Sequence, residues 1–277
     1  MIGHRLTWGI PIETGGWQVV ANSLPSLGAE ELNALMSMTN VGTVDERGFT
    51  DGYGYFGEFH ADGAAWAVFA HLYRSRKPVF TGRHFVQRDV CLAPVSEFRA
   101  MNNDAQPFFE VVPEPRVFGT VETATARWDA EPRAQPSEPR LARLESLPKE
   151  FLRDVLLAFL QPHPTIIVWQ SPDASLLTSL LLLFPKVVRQ RLTFCTAVGD
   201  VGAAQVRIKC IPAFKPDPTS AIVDFDRKLF RQPLVAVESM LPAQLVSAWQ
   251  SGRLAELHAY LDDAVQWPGE QPFTRWL

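Results

Sequence analysis

The chain has 277 residues, 47% hydrophobic and 20% charged, with a formal net charge of −4. That length and apolar content supply a core for one large domain or two ordinary ones and argue against disorder. The charges are scattered rather than gathered into a basic stripe, which argues against nucleic acid as a partner.

From the N-terminus, residues 4–10 and the stretch Gly16–Asn22 read as strands joined by a Gly-Gly turn, hence a hairpin. Gly28–Ser37 places Leu32, Leu35 and Met36 on one face with acids in the first turn, the pattern of a helix. Asp45–Gly63, rich in Gly, Asp and aromatics, reads as a structured loop presenting Phe49, Tyr53, Tyr55 and Phe59. Ala65–Tyr73 and His84–Leu92 carry the aromatic and β-branched residues of strands. A helix over Ser96–Asn102, a strand near Phe108–Val112 and another over Val117–Ala126 complete a first α+β unit.

Between Trp128 and Pro148 the prolines 132, 136 and 139 interrupt any regular pattern, so the segment reads as a linker or exposed excursion. Beyond it, Lys149–Leu160 is an amphipathic helix and Thr165–Trp169 a buried strand, with a helix start at Ser171-Pro172. Leu176–Phe184 is a buried helix, for its nine residues fall far short of the about twenty apolar residues a bilayer requires. Pro185 opens a short helix with Arg189 and Arg191 near its end, and Leu192–Val198 is the next strand. Val206–Ile211, Ala221–Phe225 and Leu234–Val237 read as strands, and Ala243–Val265 as two helices broken at Ser251-Gly252. The expected fold class is therefore α+β, with mixed, mainly antiparallel sheets and packed helices. Its expected subdomains are residues 1–127 and 149–277, joined by 128–148.

No motif settles a chemistry. Cysteines 91, 195 and 210 form neither a CxxC pair nor an even disulfide framework, the usage of a reducing cytoplasm, and the N-terminus Met1-Ile-Gly-His-Arg-Leu6 carries no signal-peptide pattern. Cys195 sits mid-strand, away from the helix N-terminus or base that a catalytic thiolate needs, so it reads as a core residue. The six histidines show no metal-binding spacing, and no metal or other cofactor is expected. Gly52-Tyr-Gly54 and Gly199–Gly202 lack a complete phosphate-loop pattern and read as turns. Two constellations remain. His71 and His84 lie on adjacent expected strands and could meet Asp89 and the acids of the 45–60 loop in a hydrolase-like site. The four aromatics Phe49, Tyr53, Tyr55 and Phe59 would instead suit a protein-binding surface with the two tyrosines as anchors.

Several stretches together resemble a known family. Gly16–Ser23 followed by a Leu-rich acidic helix, then Ala65–Tyr73 with Thr81–Val90, is similar to the N-terminal region of bacterial GTPase-associated adaptor proteins. Phe184-Pro185 leading into Arg191-Leu-Thr-Phe194 is similar to the strand, helix, proline and basic turn of that family, so the likeness covers residues 1–100 and 164–198. The resemblance implies a cytoplasmic, non-enzymatic adaptor that binds a GTPase or another component of a prokaryotic defence assembly. A hydrolase-like enzyme and a structural subunit of an obligate oligomer are the alternatives.

Overall fold

The computed structural model describes residues 4–9, 18–22, 27–39, 53–61, 63–74, 86–110, 137–196, 198, 205–213, 219–232 and 241–264. The expected strands at 117–126 and 234–237 lie outside these residues, as do Phe49, His84 and Ala130–Gln135.

Strands β1 (His4–Gly9) and β2 (Gln18–Asn22) pair as the expected hairpin. Helix α1 (Ala29–Thr39) follows, its start closed by the Glu31 carboxylate accepting the Gly28 N–H at 2.8 Å, the glutamate half of a capping box. Next come β3 (Tyr53–Ala61), β4 (Ala64–Arg74) and β5 (Val86–Pro94), which pair antiparallel in sequence order, with β1 closing against β5. The expected loop over 45–63 is thus a strand from Tyr53 onward. Its glycines serve close approach rather than turning: a Cβ on Gly54 would lie 3.1 Å from the Phe109 ring, and one on Gly57 only 2.4 Å from the Tyr55 hydroxyl.

Two short helices leave β5, α2 (Val95–Ala100) and α3 (Gln106–Glu110). The latter replaces the strand expected from Phe108. The Asp104 carboxylate accepts the Gln106 N–H at 3.1 Å and starts a helix, in whose first turn Pro107 needs no hydrogen-bond partner. The proline-rich excursion is also corrected in its second part. Ser137–Leu141 is helix α4, a 3-10 turn runs over Ala142–Ser146, and Leu141, Leu144 and Leu147 are buried. Arg140, 3% exposed, pairs with buried Asp104.

Helix α5 (Lys149–Leu160) leads to β6 (Thr165–Val168). Helix α6 (Ala174–Leu181) is capped by the Asp173 carboxylate, which takes the Ser175 N–H at 2.7 Å, and Pro185 then opens α7 (Lys186–Arg189). Strand β7 is only Phe194–Cys195, shorter than the expected Leu192–Val198. Strands β8 (Ile208–Ile211), β9 (Ala221–Asp224) and β10 (Leu229–Gln232) precede the closing helices α8 (Leu241–Gln250) and α9 (Leu254–Ala264).

The strands form one mixed, mostly antiparallel sheet in the order β10-β9-β6-β8-β7-β3-β4-β5-β1-β2, an α+β architecture. Strands β9, β6, β8 and β7 are mutually parallel, and β7 pairs antiparallel with β3, so the sheet runs unbroken from residues of the first half to those of the second. Side chains alternate between the two faces. Ile167, Val223 and Cys210 enter one core together with residues of α2 to α9, whereas Ile166, Ile222 and Ile211 enter the other, where α1 contributes Leu35. At the junction Phe56, Phe69, Phe98 and Phe108 pack ring on ring, Phe69 stacking on Phe108 with centroids 3.7 Å apart. Stacked and tilted rings there bury large apolar area with favourable quadrupole geometry.

Candidate functional site

The aromatic constellation is placed first by the sheet. Tyr55 is 0% exposed and stands opposite Cys195 in the ladder, its ring folded over Gly57; Phe59 is 8% exposed in the same core. Burial, with Cys195 nearby, pushes the Tyr55 hydroxyl well above its ordinary value. Tyr55 and Phe59 are therefore core side chains, not surface anchors. Tyr53 lies in β3 opposite Leu72, with its side chain outside the described residues, as is all of Phe49.

The second constellation is partly assembled. Register sets Gly54, His71, Asp89 and Thr7 side by side across β3, β4, β5 and β1. The Asp89 Oδ1 accepts the Thr7 hydroxyl at 2.6 Å and Arg5 Nη2 at 3.0 Å. Two donors on one oxygen fix the orientation of the carboxylate. Burial pushes His71 down to about 4, against the attraction of Asp89. The imidazole is thus neutral near pH 7 and a weak proton acceptor. His84, the third member, lies outside the described residues.

All three cysteines are buried, and burial pushes the Cys91 and Cys210 thiols well above their ordinary range, the reverse of what a nucleophile needs. Among the described residues no group of three or more His, Cys, Asp and Glu side chains is arranged to hold a metal ion. None of the described helices is long and apolar enough to cross a membrane.

A third place was not legible as a site. Helices α8 and α9 meet at the Ser251-Gly252 turn, where Gly252 takes the left-handed conformation (φ 72°) and Arg253 N donates to the Ala248 carbonyl at 2.7 Å. Between the helices runs a groove of about 630 Å³. Ala248, Leu257 and Leu261 give it an apolar lining, Gln244 and the Arg253–Glu256 pair (2.9 Å) supply polar groups, and Tyr260 stands in it 71% exposed. The sequence carries part of the signal: Leu254, Leu257 and Leu261 make the apolar stripe of α9, and Tyr260 is a large ring beside it rather than on it.

No known protein family matches the chain, and no curated protein does.

Proposed function

We propose that the protein is a non-enzymatic adaptor that binds a partner protein, and that the partner lays an amphipathic segment into the groove between α8 and α9. The observation carrying this reading is Tyr260, a large aromatic side chain 71% exposed in a groove with apolar lining and polar groups, on a hairpin fixed to the body by buried Leu245, Leu254 and Leu261. Exposed rings on rigid elements are the side chains in which interface energy concentrates, and a two-helix groove of mixed polarity suits an amphipathic helix. The resemblance of residues 1–100 and 164–198 to GTPase-associated adaptors makes a GTPase encoded nearby the first partner to test, in a defence assembly.

The test is co-expression of the chain with its genomic neighbours, followed by calorimetric titration of the purified partner. Tyr260→Ala is expected to weaken binding by about 2 kcal/mol or more, the level of a hot spot, while the melting temperature stays unchanged. Full affinity in that variant, or no neighbour that binds, would defeat the proposal. A second reading, a hydrolase-like site, is supported by the cross-strand placement of His71 beside Asp89. A hydrolytic activity abolished by His71→Gln in a folded protein would favour it.

A further inference from the structure

The Arg189 guanidinium, 9% exposed, ties together chain segments far apart in sequence. Its Nε donates to the Phe184 carbonyl at 2.6 Å, Nη2 to the Leu182 carbonyl at 3.2 Å and Nη1 to the Asn102 carbonyl at 3.2 Å. It so satisfies carbonyls at the turn from α6 into α7 and in the bend after α2, where Asn102 and Asn103 both have left-handed backbone. The same Nη2 lies 3.4 Å from Nδ1 of His258, on α9. The other ring nitrogen of His258, Nε2, is 2.8 Å from the Leu183 carbonyl.

These contacts fix the proton. A carbonyl can only accept, so Nε2 carries the hydrogen; a guanidinium can only donate, so Nδ1 offers its lone pair. Only the neutral Nε2–H form satisfies both partners. A second proton on Nδ1 would point one donor at another and set two positive charges 3.4 Å apart. One turn further along α9 stands Asp262, whose Oδ2 is 4.0 Å from Lys186 Nζ and whose buried Oδ1 has no hydrogen-bond partner among the described residues. It is the acceptor to which a charged imidazole would turn.

We infer that His258 is a proton-operated latch: neutral, it fastens α9 to the Arg189 hub, and protonated, it is driven off Arg189 toward Asp262 and loosens the helix. Among the described residues the charges facing this group are Arg189 and Lys186 from α7, Asp262 from α9 itself, and the Asp104–Arg140 pair behind Arg189. Burial holds His258 below its ordinary value and Arg189 adds to this, against the Leu183 carbonyl bond and Asp262. The ring is therefore neutral at pH 7 and takes its second proton only below the ordinary histidine range. Since α9 forms one wall of the α8–α9 groove, the latch also sets the shape of that surface, but its existence does not depend on the adaptor reading.

Amide hydrogen exchange, corrected for intrinsic rates, tests it without any partner. Between neutral pH and the acid pH at which nitrogen shifts show the native imidazole charged, protection of Leu254–Ala264 is expected to fall about tenfold more than that of α5 in the native protein, and no more than that of α5 in His258→Gln, which cannot charge. Parallel behaviour of the two helices in the native protein, or an undiminished excess loss in the Gln variant, would overturn the inference. Nitrogen chemical shifts of the native imidazole give a check that needs no variant: the Nε2–H form is expected near neutrality, with α9 losing protection as Nδ1 takes its proton. An Nδ1–H form at neutrality, or titration without any change in α9, would overturn it equally.

Discussion

The half of the sheet made by β1 to β5 and the half made by β6 to β10 bury polar groups by different means. In the first, strands of up to eleven residues alternate, and charge sits on the sheet itself: Asp89 takes Arg5 and Thr7 across the ladder, and Arg88 reaches the Met36 carbonyl (2.9 Å) and the Thr39 hydroxyl (3.0 Å) at the end of α1. In the second, β6, β8 and β9 are four-residue strands buried at every position; they carry buried Lys209 and Asp224, and further charge lies in the helices and connections around them. There Arg140 meets Asp104, Arg189 caps turns, and Arg207 clamps the Gln161 and Pro162 carbonyls after α5. A long antiparallel sheet can carry polar rows between neighbours, whereas a short parallel one is covered on its faces and leaves much of its polar work to helices and connections.

The sharpest way to break this comparison is Arg140→Ala. It leaves the Asp104 carboxylate buried without its cation and is expected to cost about 3–5 kcal/mol in urea unfolding, whereas Arg140→Met with Asp104→Leu should recover only part of that loss, since Asp104 also starts α3. A single variant as stable as the native protein would show that the pair holds nothing.

The sheet-borne charges predict an acid response in the first half. Since the folded-state value of His71 is depressed to about 4, its contribution is complete above the ordinary value of about 6.5 and is lost as pH falls toward 4, by up to about 3 kcal/mol. Stability curves of His71→Gln should be flatter than native over that window; identical slopes would remove His71 from the account.

Gly57→Ala probes the antiparallel half beside the seam. The new methyl meets the buried Tyr55 ring, and a loss of about 1–3 kcal/mol is expected, relieved in part by adding Tyr55→Leu. A smaller effect, about 1 kcal/mol without loss of partner binding, is expected for Cys195→Ala, measured by thermal melting and calorimetry. Loss of all function from a well-folded Cys195→Ala protein would revive the nucleophile. Least of all should Tyr260→Ala disturb stability, by under about 0.5 kcal/mol, because its ring packs on little.

How much of this was legible follows from the kind of signal each residue gives. The aromatic and β-branched residues of β4 and β5 and the apolar runs of α5 and α6 report burial directly, and these elements stand where they were expected, as do α8 and α9. Tyr53–Ala61 was misread because its glycines look like turn residues, although two of them make room for Phe109 and for the Tyr55 ring, a contact no local pattern reveals. The prolines misled in a similar way. Pro107 and Pro139 stand in the first turns of α3 and α4, where the missing N–H costs nothing. Strand β10 was missed because its turn depends on Lys228 at a φ of 56° and on the Asp224 carboxylate taking the Arg227 N–H at 3.0 Å. Of the candidate sites, His71 and Asp89 could be set together from strand adjacency. Separating Tyr260 from the buried tyrosine needed the tertiary structure, since exposure is a property of the whole fold.

Strand β7, only two residues long, has a consequence for the order in which the chain can fold. It gives β3 its second neighbour, and beside it the Thr196 hydroxyl takes the Gly54 N–H from 142 residues away. Closing so long a loop is entropically costly and comes late, after local hairpins and helices have formed. During synthesis the hairpin of β3 and β4 therefore waits with an open edge until residue 196 has left the ribosome, and that interval is when the nascent chain is most exposed to pairing with another copy of itself.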